Sequence, residues 1–321
     1  MAVKVALIGY GHLGKWHCEK ALNLPTAKLV AIVEPTEDGK KRAQKDHPTL
    51  NVVSDIAEIY HTIDAALVVS TTETHFAISK KLLLNGVHVF CEKPLSSTFL
   101  QARELADLAK QKSLVLQVGH SERFHHCWEL GKEKYPGFFS HPSYVHIKRV
   151  APFKGRATDV DVVQDLMIHD IDLCLSLFTQ KPLWVEGLAV KCITKNWDFC
   201  KVIFGYENNL RIDIQVGRNA IKEERYLEIT NSSGQLHFDL FNNSIIQASF
   251  DKKLNRTVND EISYEKRDHL YLEQKMFYRA ILSNESPLVT GEDGANAVFI
   301  VEKVLESIQK KERITLTSMN Q

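Results

Sequence analysis

Three short stretches carry residue types that can do chemistry. In "VHVFCEKPLSS" (87–97) an apolar run ends on a carboxylate and an amine, Glu92 and Lys93, followed by Pro94. An amine at the end of a core strand can hydrogen-bond a substrate oxygen and stabilise negative charge developing there. Pro94 restricts Lys93 to extended backbone. In "VVQDLMIHDIDLCLSLF" (162–178), Asp165 and His169 are spaced i, i+4, and Asp172 follows. On a helix these three project from neighbouring positions of one face. From the residues alone, that face is a histidine general base oriented by a carboxylate, a metal-ligand set, or the hydrogen-bonded polar edge of an ordinary helix.

The third stretch, "ALIGYGHLGKWH", places Gly9, Gly11 and Gly14 as G-x-G-x-x-G between an apolar strand and a helical pattern. The first glycine permits a tight turn, the second lets backbone approach a pyrophosphate, and the third lets helix and strand pack closely. The amides at the helix start, around His12 and Leu13, then face the anion. Glu34 closes the next strand about 20 residues later, where an acid binds ribose hydroxyls. Its charge would repel a 2′-phosphate, so NAD is expected rather than NADP. Lys40, Lys41 and Arg42 read as a solvated helix face.

These residues need a scaffold. "VKVALIG" (3–9), "KLVAIVE" (28–34), "AALVVST" (65–71), "VHVFCE" (87–92) and "LVLQVG" (114–119) are continuous apolar runs, the pattern of parallel strands covered on both faces. Between the last two, Ala102, Leu105, Ala106 and Ala109 recur at helical spacing, with Ser96 or Ser97 as the cap. The fold class is therefore α/β, beginning with a doubly wound parallel sheet. Beyond about residue 143 the texture changes. In "LRIDIQV" (210–216) Ile212, Ile214 and Val216 alternate with polar residues, and further strands are separated by the turns "ENN" and "NSSG". This predicts an α+β second domain with an open, mainly antiparallel sheet, one face covered by helices and the other left for a partner. A last helix over about 294–310 carries Ala297, Ile300, Val301, Val304, Leu305 and Ile308 on one stripe and can pack back on the first domain.

The 321 residues suffice for two domains, expected at 1–120 and 121–321. Lys plus Arg equal Asp plus Glu at 40 each, which removes the footprint of a general nucleic-acid binder. A local basic pocket is still possible, and Arg123, Arg149, Lys154 and Arg156 are candidates to bind a diphosphate. No apolar run approaches the ~20 residues of a membrane span, and the chain enters a strand pattern at once, so a cytoplasmic protein is expected. Six scattered cysteines without a C-x-x-C pair suggest reduced, mostly buried thiols and neither disulfides nor a zinc site.

Together, "GYGHLG", "STTETHFAISKKLLLNGVHVFCEKPLSS", "DLMIHDID" and "SPLVTGEDGANAVFIVEKVLES" resemble the Gfo/Idh/MocA oxidoreductase family in order and approximate spacing over nearly the whole chain. The resemblance implies NAD(P) in the first domain, substrate between the domains, no metal, and a homodimer or homotetramer joined through the open sheet. Carried over by position, Lys93, Asp165 and His169 are implied as catalytic and substrate-binding residues, with Glu92 placing Lys93 and both Glu92 and Lys93 among the cofactor contacts. Thr71 and His75 match a T-x-x-x-H segment that lies along the cofactor. "VGHSERFHHC" (118–127) and "KGRATDVDVVQDLMIHDID" (154–172) resemble the family's UDP-sugar-oxidising subgroup, which favours Arg123 and Arg156 as substrate contacts. That subgroup oxidises the 3-hydroxyl of UDP-GlcNAc to a ketone for lipid A biosynthesis. The alternatives are a dehydrogenase of a free polyol such as an inositol, and a non-catalytic NAD-binding regulator, against which the presence of both Lys93 and His169 counts.

Overall fold

The apolar runs near the N-terminus form six parallel strands in the computed structural model, which describes residues 2–155 and 160–316. These are β1 (Val3–Ile8), β2 (Ala27–Val33), β3 (Asn51–Val53), β4 (Ala65–Val68), β5 (His88–Cys91) and β6 (Leu116–Val118), in the order β3-β2-β1-β4-β5-β6. The helices α1 (His12–Asn23), α2 (Glu37–Asp46), α3 (Thr72–Leu84) and α4 (Phe99–Gln111) alternate with the strands. Strand order reverses between β1 and β4, and ligands of open α/β sheets bind beyond the carboxyl ends at such a point. Five of the strands are legible as apolar runs. The sixth, β3, is three residues at the sheet edge, too short and too exposed to show a pattern. The cap of α4 is Thr98, whose hydroxyl accepts from Gln101 N at 3.4 Å. Neither expected serine takes that role, and Ser96 Oγ donates instead to the Thr98 carbonyl at 2.8 Å.

The second body contains α5 (His126–Lys134), α6 (Pro136–Ser140), β7 (Tyr144–Val150), a π-helical turn at Val163–Met167 running into α7 (Ile168–Leu177), and β8 (Trp184–Val190). The strands β9 (Phe199–Gly205), β10 (Arg211–Gly217), β11 (Glu224–Asn231), β12 (Gly234–Asp239), β13 (Ser244–Asp251) and β14 (Arg256–Ser263) follow. The chain ends with α8 (His269–Ser283), α9 (Gly291–Lys310) and β15 (Ile314–Thr315). The nine-stranded sheet runs β14-β13-β12-β11-β7-β10-β9-β8-β15, with β7 and β10 parallel at its centre and every other pair antiparallel. Period-2 alternation sets its covered face. Ile212 and Ile214 lie opposite Val145 and Ile147 on one side and Phe204 and Val202 on the other, and all six are buried.

The domain boundary needs one change. One compact unit contains the residues up to 121 and also 268–298, while the other contains 122–267 and the residues from 299 onward. The second domain expected over 121–321 thus gives up α8 and the start of α9. Phe277 and Tyr278 of α8 join Val5, Leu7, Ile32, Leu67 and Phe90 in the first core, and Phe90 meets Phe277 edge-on at 5.9 Å. Burial of each such ring contributes about 1.5–3 kcal/mol. Asp268 caps α8 by accepting from Tyr271 N, and Asn284 ends it in the left-handed conformation that asparagine tolerates. All six cysteines are free, five of them buried and Cys192 exposed. Among the described residues no helix is long and apolar enough to cross a membrane.

Candidate active site

The glycine loop follows β1. Gly9 has φ +95°, and a Cβ there would lie 2.7 Å from the Val69 carbonyl oxygen. At Gly14 a Cβ would reach within 2.2 Å of the Gly9 oxygen, so this close helix–strand approach requires glycine. A Cβ on Gly11, the N-cap of α1, would meet nothing within 4 Å. The loop is open there, and α1 has no acid in its first turn to oppose an anion. His12 is exposed and Leu13 half-buried at the same helix start.

Glu34, just beyond β2, is buried beside this loop. Its Oε2 accepts from Tyr10 N at 2.9 Å, and its Oε1 accepts from Thr36 N at 3.0 Å and Thr36 Oγ1 at 2.5 Å. Burial opposes its ionisation, but the Thr36 hydroxyl and the Tyr10 and Thr36 amides outweigh it and hold the carboxyl below its usual range. The carboxylate therefore secures the loop's backbone as well as supplying negative charge at the end of β2. These features fit a dinucleotide without a 2′-phosphate. Lys40 pairs with Glu37 on α2, and Lys41 and Arg42 are exposed.

The E-K-P turn follows β5. Glu92 N donates to the Val68 carbonyl at 2.9 Å, and the Lys93–Pro94 peptide is cis. The Glu92 carboxylate turns inward, accepting from His17 Nε2 at 2.9 Å and from Lys93 N at 3.1 Å. Gly119, after β6, makes room for it, since a Cβ there would lie 2.8 Å from Glu92 Oε1. Lys93 is half-buried. Thr71 is the exposed N-cap residue of α3. His75 is fully buried, with Nδ1 2.8 Å from the Pro94 carbonyl and Nε2 3.1 Å from the Ser70 carbonyl. Carbonyls only accept, so both ring nitrogens carry hydrogen. Burial disfavours that cation, but Cys91 and the two carbonyls raise its pKa to about 9. His75 therefore ties the end of β4 to the E-K-P turn.

The D-x-x-x-H segment lies in the second unit. Asp161 Oδ1 accepts from Val163 N and Gln164 N, both at 2.9 Å, and starts it. A π-helical turn forms the first part of the helix expected over 162–178, and α7 supplies the rest. Such turns recur at functional sites. Asp165 and His169 are both half-buried. Asp172, expected on the same face, is fully buried in a bidentate pair with Arg123 (Nε–Oδ2 2.8 Å, Nη2–Oδ1 2.6 Å). Arg149 grips Asp170 in the same way at 2.9 and 2.6 Å and reaches Glu122 at 3.3 Å. Two arginine–aspartate clamps thus fix α7 immediately after His169.

An open cleft of about 240 Å³ is lined by Asp165, Leu166, Arg149, Lys154, Arg218 and Arg225, among others. Its cations already have acidic partners: Lys154 Nζ lies 2.7 Å from Glu223, Arg218 Nε lies 2.9 Å from Asp198, and Arg225 meets Glu122. Arg156 lies outside the described residues. Sequence reasoning missed His17, Gly119, Glu273 and Gln274. His17 stands one helical step after Gly14, but its partner Glu92 is 75 positions away and Gln274 is 257 away.

A parallel sheet in this order, with an open glycine loop and an ionised acid closing β2, defines a dinucleotide-binding protein. Residues 3–120 match the Gfo/Idh/MocA oxidoreductase-family model with its NAD-binding Rossmann fold, and residues 138–237 match that family's C-terminal domain. The chain belongs to this family, and it is an NAD-dependent dehydrogenase acting on CH–OH. It is 26% identical over 313 residues to the UDP-N-acetylglucosamine 3-dehydrogenase of Acidithiobacillus ferrooxidans, spanning 96% of this chain and 97% of the relative. A solved structure of that enzyme superposes with TM-score 0.88 at 25% identity, covering 97% of this chain and 99% of the other. The myo-inositol 2-dehydrogenase of Thermotoga maritima is 24% identical, with 98% of each chain covered.

Proposed function

We propose that this dehydrogenase oxidises the 3-hydroxyl of a UDP-N-acetylhexosamine such as UDP-GlcNAc to a ketone. The observation that carries this reading is the end-to-end likeness to an enzyme named for that reaction. Bound NAD supplies the hydride acceptor. His169 takes the hydroxyl proton as general base, since an imidazole can exchange protons near neutral pH. Asp165 orients that ring or stabilises its charged form. Lys93 hydrogen-bonds the reacting oxygen and stabilises the negative charge that grows as its proton leaves. Glu92 stays fastened to His17 and the Lys93 amide and so positions the amine. The amides at His12 and Leu13 hold the cofactor's pyrophosphate, and Thr71 lies along the cofactor.

The open face of the nine-stranded sheet would join subunits of a homodimer or homotetramer. Reduced cysteines suit a cytoplasmic setting. A second reading, oxidation of a free polyol, is favoured by one observation. The cleft's basic side chains are already paired with acids, so a diphosphate would have to displace them. A panel of UDP-sugars and free inositols with NAD, followed by absorbance of reduced cofactor, separates the two. Turnover with UDP-N-acetylhexosamines is expected, whereas turnover with inositol and none with any UDP-sugar would establish the second reading.

A further inference from the structure

Behind the E-K-P turn lies a buried cluster in which only Glu92 has so far been given a role. His17 on α1, Glu92 after β5 and Glu273 on α8 bring one ligand-type atom each to within 4.8 Å of one another. His17 and Glu273 are fully buried, and Glu92 is 7% exposed. Two carboxyls and an imidazole at this spacing raise the possibility of a metal ion, but the hydrogen bonds argue against one. Gln274 Nε2 donates to the His17 carbonyl at 3.1 Å, and Gln274 Oε1 accepts from Tyr278 OH at 3.1 Å, which fixes the amide's orientation. The same nitrogen lies 2.9 Å from His17 Nδ1, which must accept. The ring hydrogen is therefore on Nε2, pointing at Glu92 Oε1. A metal-bound histidine has the reverse arrangement, with its far nitrogen donating.

Glu92 is the charged member of the pair. Burial opposes its ionisation, but His17 and Lys93 hold it below the usual range. Glu273 faces the opposite environment. Both of its oxygens are buried and have no hydrogen-bond partner among the described residues. An ionised carboxylate there would be unsolvated and beside a second negative charge, a state strongly disfavoured. Burial first, and then Glu92 and Asp268, push this carboxyl far above its usual range.

We infer that Glu273 is a positioning residue that holds the proton of a Glu92–Glu273 carboxyl pair, so that the pair presents one negative charge to Lys93. The groups facing it are His17 on α1, Glu92 and Lys93 after β5, and Asp268 at the start of α8. The inference rests on the proposed role of Lys93 only for its effect on catalysis; the proton on Glu273 stands without it.

The proton is tested by stability against pH. As pH rises above about 4.3, the unfolded state releases the Glu273 proton while the folded state keeps it, so stability falls with pH. Glu273→Gln has no proton to release. The Tm of the variant minus that of the wild type is therefore expected to grow as pH rises towards neutrality. A difference constant with pH would overturn the assignment. If the variant does not fold, the infrared spectrum of the wild-type protein answers the same question. A carboxylic-acid C=O band persisting at neutral pH supports the protonated Glu273, and its absence overturns it. One tightly held divalent ion per chain in the purified protein would also overturn it.

The effect on Lys93 is tested with Glu92→Gln. Loss of the charge is expected to lower kcat about tenfold with the KM for NAD unchanged, and Glu92→Asp, which keeps the charge, is expected to recover part of that loss. Equal losses in Glu92→Asp and Glu92→Gln would mean that Glu92 is only structural. If Lys93→Ala were fully active, the catalytic reading of Lys93 would fail, while the dependence of stability on Glu273 would remain.

Discussion

In the first unit, the turn that carries Lys93 is fastened by neutral and titratable hydrogen-bonding groups from distant parts of the chain. His17 and His75 reach it from α1 and α3, and Gln274 of α8 holds the His17 ring in place. In the second unit, His169 is followed by two aspartates, each gripped by a permanently charged arginine. The first arrangement depends on where protons sit and should respond to pH. The second depends on fixed charges that stay paired across the physiological range. Both position a proposed catalytic side chain, but different perturbations should loosen them.

The largest expected effect is on turnover. Lys93→Ala and His169→Ala should each lower kcat by about 10²–10⁴-fold, the range of a positioned acid–base group. NAD binding, measured by titration, should survive in both. Comparable losses from opposite units would support the comparison, and loss in only one would break it.

The next effect separates the clamps. Arg123→Leu takes from the buried Asp172 its bidentate arginine partner, which should cost about 3–5 kcal/mol in denaturant unfolding. The double variant Arg123→Leu/Asp172→Leu should recover much of that, because two apolar groups replace the pair. A double variant as unstable as the single one would show that the clamp matters for packing rather than charge.

The smallest effect is the pH response of the turn. With a pKa raised to about 9, His75 contributes stability that is fully present below its unfolded value of about 6.5 and is lost as pH rises through about 9. Over that window the stability advantage of the wild type over His75→Gln should shrink by about 3 kcal/mol. An advantage that stayed flat across the window would mean that His75 is not the doubly hydrogen-bonded cation described.

The parts of this arrangement that were legible in the sequence are those encoded locally. Gly9, Gly11 and Gly14, the strand-ending Glu34 and the E-K-P run are each read within one strand and its exit. The π-helical turn was not legible, because "VQDLM" has no residue that chooses π over α geometry. Nor was the return of α8, since an apolar stripe such as Phe277 and Ala280 does not specify which core it enters. The buried carboxyl pair was hidden for the same reason: Glu273 looks like a polar position on an amphipathic helix until the fold places Glu92 beside it. The pairing of Arg123 Nε and Nη2 with Asp172 was hidden as well, because the two residues lie 49 positions apart.

The most direct test is the primary deuterium isotope effect on kcat, using substrate deuterated at the oxidised carbon. If Lys93 and His169 act on the chemical step, Lys93→Ala and His169→Ala should each show an isotope effect at least as large as the wild type's, because chemistry becomes rate-limiting. Variants that turn over slowly without any isotope effect would contradict this, placing both residues in binding or product release rather than in catalysis.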